Sequence, residues 1–181
     1  MTAHRARRLP VHRGPAAWNA ILPPRPLVLP LRDPRTADFV IVGAGFAGLS
    51  AARRLTQLQP GAAIVLLEAG RIAEGAAGRN SGFMIDLPHE LTSEDYAGAG
   101  DDRAMIALNR QAIAFARQAV AEYGIPADFF DPAGKVNGAA SPAAEAHNRT
   151  YAAHLDSLGE RHDHLDAQAM QELTGSPHYR S

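Results

Sequence analysis

The residues of this chain best placed for chemistry are three glycines and one glutamate. Gly43, Gly45 and Gly48 directly follow the apolar run 40–42. In that order, the first permits a tight turn, the second lets backbone approach a pyrophosphate, and the third lets a helix pack on the strand. Glu68 lies 20 residues beyond Gly48 (68 − 48), where a carboxylate can accept hydrogen bonds from ribose hydroxyls. The set therefore predicts a dinucleotide site.

A strand–turn–helix–strand unit must position these residues. The run 40–42 is typical of a strand buried on both faces of a parallel sheet. A helix is predicted over 46–59, ended by Pro60 and Gly61, and 64–67 predicts the second strand. This helix directs its free N–H groups and positive dipole end towards the phosphates. The alternative is an ordinary βαβ unit whose glycines only permit close packing.

Composition limits the class of protein. The 181 residues are 46% hydrophobic and 20% charged, which is typical of a soluble globular protein. The absence of cysteine excludes disulfides, thiolate metal sites and a cysteine nucleophile. Because no apolar run is long enough for a membrane span and no secretory signal is visible, we expect a cytoplasmic protein without a membrane partner. An arginine-rich basic set with Lys135 as the single lysine suggests a bacterial gene.

The first 35 residues form a Pro- and Arg-rich arm, which we separate from a domain at 36–181. The arm carries seven Arg and one Asp, so its net charge is +6 and the remainder carries −7. We interpret it as a solvated leader rather than a nucleic-acid contact, because its only aromatic residue is the isolated Trp18. Part of it is expected to lie along the domain surface, anchored by Trp18, Ile21 and Leu22.

Three further helices are predicted downstream. They cover 102–123, 141–158 and 166–173, and two short strands are expected around a Pro/Gly turn in 127–140. The first of these helices has apolar residues three and four positions apart, which predicts one buried face. That face consists of Met105, Leu108, Ala112, Phe115 and Ala119.

A second glycine-rich segment at 75–82 narrows the kind of dinucleotide. It reads Gly-Ala-Ala-Gly-Arg-Asn-Ser-Gly and resembles the D-amino-acid-oxidase-like family of FAD-dependent oxidoreductases, which share a segment of this type after the ribose-binding acid. Ala77 stands where the family often has Ser, which removes one possible hydroxyl contact but keeps the backbone path. The segments 121–126, 129–134 and 165–173 resemble, in order and spacing, the gamma-glutamylputrescine oxidase-like branch of the family, which oxidises amines, and the similarity spans roughly 18–179.

The resemblance implies an α/β fold: an incomplete Rossmann-like FAD-binding domain with a parallel sheet, followed by the start of an α+β substrate region. It implies FAD as cofactor, a small amine or amino acid as substrate, and oxidation of the C–N bond to an imine by hydride transfer to flavin. The predicted cofactor-binding residues are Gly43, Ala44, Gly45, Phe46, Ala47, Gly48, Glu68, Ala69, Gly78, Arg79, Asn80 and Ser81.

Family members are considerably longer, so we expect this chain to be an N-terminal fragment or a truncated product. The catalytic residues are then expected beyond position 181, and none is assigned here; the substrate and the oligomeric state stay open. Two other functions compete: a truncated, non-catalytic FAD-binding remnant, and an NAD-dependent dehydrogenase. The dehydrogenase is disfavoured because its fingerprint does not need the segment 75–82.

Two local alternatives concern charged and metal-ligating side chains. Arg79 has a simpler interpretation as a surface arginine paired with Glu74. Histidines at four positions suggest a metal site, but a zinc ion needs three or four converging ligands, so we predict no metal. Those histidines are His147, His154, His162 and His164.

Overall fold

The computed structural model describes residues 11, 13–23, 30–87 and 101–181. These residues fall into two compact units, Met1–Gly82 and Phe83–Ser181. The predicted division between an arm and a domain near residue 36 is a different one and stays a prediction. Among the helices of the described residues, none combines the length and the apolar character that a membrane crossing requires.

The first unit is a small parallel α/β arrangement. It contains helix α1 (Ala17–Ile21), strand β1 (Phe39–Val42), helix α2 (Phe46–Leu58), strand β2 (Ile64–Leu67) and a 3-10 turn at Ala76–Gly78. The two strands form a parallel pair. The predicted parallel sheet is therefore confirmed as a two-stranded sheet beside helices, consistent with an incomplete α/β fold.

The pairing of the strands brings the glycine turn next to the end of β2. Val42 lies opposite Leu67 in the register. The N–H of Gly43 then donates to the carbonyl of Leu67 at 2.7 Å, which extends the ladder by one residue into the turn. Glu68, the next residue after β2, is consequently placed beside this turn.

Strand β1 is not buried on both faces as its composition predicts. The side chain of Val40 is 58% exposed and that of Val42 is 83% exposed. The described part of this unit contains one long helix, α2, and a single helix cannot cover both faces of a strand pair. The apolar composition of a strand shows that its burial would be favourable, but burial also requires other elements that pack on both of its faces.

The second unit is helical. It contains helix α3 (Asp102–Tyr123), a 3-10 turn at Ala127–Phe129, helix α4 (Pro142–Leu158) and helix α5 (Ala167–Thr174). All three predicted helices are confirmed to within one residue at each end.

Side-chain caps explain why these bounds could be predicted. The carboxylate of Asp101 accepts hydrogen bonds from the N–H groups of the first turn of α3. Ser141 and Asp166 do the same for α4 and α5. Each helix ends at a glycine with left-handed φ, a conformation that costs glycine little; these are Gly124, Gly159 and Gly175.

The predicted buried face of α3 is wrong in its first half, since Met105, Leu108 and Ala112 are exposed, whereas Phe115 and Ala119 are partly buried. Ile106 is only 3% exposed, whereas Met105 is 46% and Leu108 is 60% exposed. Apolar residues lie around most of this helix, so periodicity alone could not choose between neighbouring faces. The packed face also carries Asn109, whose side-chain amide donates to the carbonyl of Asp86 at 3.2 Å.

The two strands expected in 127–140 are also wrong. The described chain there forms the 3-10 turn at Ala127–Phe129 and then irregular backbone. Its end pairs with residues 180–181: Ala139 donates its N–H to the carbonyl of Ser181 at 2.7 Å, and Arg180 donates to the carbonyl of Ala139 at 2.8 Å. The backbone N–H and carbonyl of Ala139, expected in a local hairpin, therefore find partners about 40 residues further along the chain.

Candidate functional site

The three glycines of the first turn have different roles. Gly43 has φ of +99°, which favours glycine. A Cβ on Gly48 would lie 1.9 Å from the carbonyl oxygen of Gly43, so this position must stay glycine for α2 to pack on the turn. A Cβ on Gly45 would meet no other atom within 4 Å. The fold therefore explains Gly43 and Gly48, and leaves open space beside Gly45.

The open space lies at the N-terminus of α2. Gly45 is the N-cap residue and supplies no side-chain cap. The first helical bond in this turn runs from the N–H of Leu49 to the carbonyl of Gly45 at 3.0 Å. The N–H groups of Phe46, Ala47 and Gly48 precede that bond and carry the positive end of the helix dipole. Donors and dipole together suit an anionic group such as a pyrophosphate.

Glu68 lies against this turn in the structure. One carboxylate oxygen accepts a hydrogen bond from the N–H of Ala44 at 2.8 Å, and the other accepts one from Gly70 at 3.0 Å. These bonds, that from Ala44 first, hold the pKa of Glu68 below its usual range, so the side chain is an anion at neutral pH. Each carboxylate oxygen has a further lone pair with which it can accept a hydroxyl donor. The structure thus brings together two predicted site residues, Ala44 and Glu68.

The second glycine segment forms a loop that its own asparagine stabilises. The side-chain amide of Asn80 donates to the carbonyls of Ala76 at 3.2 Å and Ala77 at 2.8 Å. Its oxygen accepts the N–H of Gly82 at 2.8 Å. Asn80 therefore shapes the loop 75–82, and its predicted contact with FAD stays a prediction.

Arg79 pairs with Glu74, which is the simpler of its two interpretations. Its Nε donates to the carbonyl of Glu74 at 2.8 Å, and its Nη2 lies 3.2 Å from the Glu74 carboxylate. The same Nη2 donates to the carbonyl of Gly14 at 2.8 Å. The pKa of Glu74 is lowered, first by the Asn19 side chain and next by the N–H of Ala16. A direct contact of Arg79 with a cofactor stays a prediction.

Residues 14–19 lie against the loop that follows Glu68, so the expectation that part of the arm lies along the domain surface is confirmed there, and the solvated-leader interpretation does not hold for these residues. The indole N–H of Trp18 donates to the carbonyl of Asn80 at 2.8 Å. Asn19 donates to the carbonyl of Ile72 at 3.0 Å. Of the three predicted anchors, Trp18 makes this contact, while Ile21 is 67% exposed. The loop partners lie more than 50 residues away in sequence, so no local pattern reveals them.

The predicted site residues therefore form two clusters within the first unit. Glu68 joins the turn 43–48, and Arg79 and Asn80 belong to the loop 75–82 with its N-terminal contacts. Gly78 is buried in that loop, whereas Ala69 and Ser81 are exposed. Sequence reasoning missed Asn19 and Ala16 as parts of the second cluster.

The histidines do not assemble a metal centre among the described residues. The His154 Nε2 lies 2.9 Å from an oxygen of Asp102, and the His162 Nδ1 lies 3.8 Å from Asp156. No group of three or more metal-ligating side chains occurs in the part of the chain that the structure describes.

Comparison with known proteins identifies the class. Residues 38–181 match the DAO family, described as FAD dependent oxidoreductase. This chain belongs to that family. The match begins just before β1 and includes both glycine segments. The predictions of the family and of FAD as its cofactor are confirmed, and the NAD alternative loses its support.

Three curated relatives are similar to this chain. A probable oxidoreductase OrdL of Rhizobium meliloti is 28% identical over 94% of this chain. A second protein of that name, from Haemophilus influenzae, is 32% identical over 55% of this chain. The gamma-glutamylputrescine oxidoreductase of Escherichia coli is 43% identical over 31% of it. The matched regions cover 40%, 23% and 13% of those proteins, respectively. No solved structure gives a significant match.

Proposed function

We propose that the protein carrying this chain oxidises the C–N bond of a small amine or amino acid, with FAD held by the first unit. One observation supports the cofactor site above others: the Glu68 carboxylate accepts the Ala44 N–H at 2.8 Å, beside the open space at Gly45. An anion for ribose hydroxyls and a bare backbone for phosphates thus lie side by side.

The residues of this unit fit the ADP half of FAD by their chemistry. Gly45 lets the pyrophosphate approach the backbone, and the N–H groups of Phe46 and Ala47 offer hydrogen bonds to it. Glu68 accepts hydrogen bonds from ribose hydroxyls while its bond to Ala44 orients the carboxylate. FAD, when bound, supplies the acceptor for a hydride from the carbon beside an amine nitrogen, which leaves an imine.

The choice of an amine rests on two kinds of support. The chain resembles the amine-oxidising branch, and one relative carries the name gamma-glutamylputrescine oxidoreductase, which contains an amine. That relative matches over 31% of this chain, so the identity of the substrate stays a proposal. We likewise propose a cytoplasmic bacterial protein, on composition and on the bacterial origin of the three relatives.

The test uses the full-length protein in which this sequence occurs. Apoprotein titrated with FAD and, separately, with NAD is expected to bind FAD and not NAD. The flavin-loaded protein is then mixed, without oxygen, with primary amines, gamma-glutamylated amines and amino acids. We expect at least one of these to bleach the flavin absorbance, and matched alcohols to leave it unchanged.

Each part of the proposal has its own contradicting result. Failure to bind FAD would exclude the cofactor site. FAD binding without bleaching by any amine or amino acid would exclude amine oxidation and favour the non-catalytic remnant. Bleaching by the alcohols alone would assign a different bond to the reaction.

A further inference from the structure

The N-terminal segment 14–19 contacts the second glycine loop through side chains and backbone at once. We call these residues the N-terminal clasp. Trp18 and Asn19 belong to α1, and Gly14 and Ala16 lie just before it. These residues form hydrogen bonds with residues of the segment 72–82, the loop that follows β2 and Glu68.

The clasp is closely packed rather than merely adjacent. Ala16 is 0% exposed, and its N–H donates to the Glu74 carboxylate at 3.0 Å. A Cβ on Gly78 would lie 1.8 Å from the carbonyl oxygen of Ala73, within the loop, and 3.0 Å from the Cβ of Ala16, so the Ala16 side chain packs directly against Gly78. A Cβ on Gly82 would lie 2.7 Å from the Trp18 ring. Side chains of the clasp thus pack directly against two glycines of the loop.

The clasp provides hydrogen-bond partners for polar groups of the loop. Asn19 donates to the carbonyl of Ile72 and to the Glu74 carboxylate, each at 3.0 Å. The Glu74 carboxylate accepts hydrogen bonds from Ala16, Asn19 and Arg79. Arg79 also donates to the carbonyl of Gly14. Without the clasp, Ile72, Glu74 and Arg79 would lose these hydrogen-bond partners.

We propose that the clasp fixes the loop 75–82 in its cofactor-binding conformation, with Trp18 and Asn19 as positioning residues. This inference rests on the proposed function, in which the loop lies against FAD. The clasp itself need not touch the cofactor. It removes conformational freedom from the loop before FAD arrives, and a preorganised loop binds with less loss of entropy.

The test compares three variants of the full-length protein with the parent. Trp18→Phe keeps an aromatic ring but removes the donor to Asn80, Asn19→Ala removes the bonds to Ile72 and Glu74, and Trp18→Ala removes ring and donor together. Ile21→Ala is the matched control, because it lies on the same helix with its side chain 67% exposed. Circular dichroism of each apoprotein confirms that it is folded.

Two readouts separate the clasp from the cofactor site. Amide hydrogen exchange of residues 76–82 in apoprotein should accelerate about fivefold in Trp18→Phe, the effect of one hydrogen bond, and more in Trp18→Ala. The Kd for FAD should rise by a similar factor, with Trp18→Phe closer to the parent than Trp18→Ala. Ile21→Ala should change neither.

The outcomes decide the inference. Unchanged exchange in folded Trp18→Ala and Asn19→Ala would show that the clasp does not order the loop. Faster exchange with unchanged FAD affinity would show that the ordered loop does not serve the cofactor, while leaving the Glu68 site intact. A parent protein that does not bind FAD would overturn the proposed function itself, and this inference with it.

Discussion

The carboxylate of Glu68 accepts the backbone N–H of Ala44 at 2.8 Å, which joins the end of β2 to the turn after β1. The bond spans 24 residues of sequence and closes the βαβ unit at the edge where parallel strands end. The carboxylate stabilises the turn through this bond, and its remaining lone pairs can still accept ribose hydroxyls, as the dinucleotide interpretation requires.

Replacing Glu68 with alanine should weaken FAD binding. The variant loses the acceptor for ribose hydroxyls and the bond that orients Ala44, and a hydrogen bond to a charged group contributes about 1.5–3 kcal/mol. The Kd for FAD, measured by calorimetry on full-length apoprotein, should rise about 10- to 100-fold. Glu172→Ala, an exposed helix position, is the control. An unchanged Kd in Glu68→Ala would remove this residue from the site.

Alanine at two glycines of the turn should affect different properties: Gly48→Ala should mainly lower stability, and Gly45→Ala should mainly weaken FAD binding. Gly48→Ala places a Cβ 1.9 Å from the carbonyl oxygen of Gly43, so it should lower the free energy of unfolding by about 1–3 kcal/mol. Gly45→Ala meets no atom of the chain within 4 Å and has φ of −84°. It should cost under about 1 kcal/mol, a cap effect, yet weaken FAD binding. If Gly45→Ala bound FAD with parental affinity, the pyrophosphate would not approach the turn there.

The stability contributed by Glu68 should depend on pH. Its folded-state pKa is lowered from the ordinary value of 4.5, chiefly by the Ala44 N–H. The contribution is therefore fully present above the unfolded pKa and is lost as pH falls through the folded pKa. The unfolding free energies of Glu68→Gln and the parent should differ at pH 7, and the difference should shrink as the pH falls below the unfolded pKa and vanish once the pH has passed the lowered folded pKa. A difference that stayed constant over this range would mean that the carboxylate is not stabilised as an anion.

The core of the second unit should depend on Met170. This side chain is 1% exposed, the largest fully buried one among the described residues. Met170→Ala should lower the free energy of unfolding by about 2–5 kcal/mol because it removes packing and leaves a cavity. Leu173→Ala, on the same helix with its side chain 57% exposed, should change it by less than about 0.5 kcal/mol. Equal effects of the two substitutions would contradict the assigned packing of α5.

Local signals account for what the sequence could predict of the fold. Capping residues such as Ser141 and Asp166 and glycines such as Gly159 act within one turn of a helix, so the bounds of the helices followed from sequence. The face of α3 that packs, and the partners of 127–140, depend on contacts between distant segments. Periodicity could not distinguish Ile106 from Met105, because both lie on apolar stripes of the same helix.

In the candidate site, too, local patterns could be predicted from the sequence, whereas contacts between distant segments could not. The spacing of Gly43, Gly45 and Gly48 to Glu68 predicted a site in which the structure brings Glu68 to the turn. The sequence left open whether Arg79 pairs with Glu74 or contacts FAD, because the side chain of an exposed arginine suits either partner. The contact of Trp18 with the carbonyl of Asn80 had no local signal beyond the single tryptophan itself.

A crystal structure of the full-length protein with FAD bound tests the central claim most directly. The account predicts ribose hydroxyl oxygens at hydrogen-bonding distance from the Glu68 carboxylate, about 2.5–3.0 Å, with the pyrophosphate over Gly45 at the N-terminus of α2. A flavin whose ribose lies away from Glu68, or whose phosphates do not reach the turn 43–48, would contradict it.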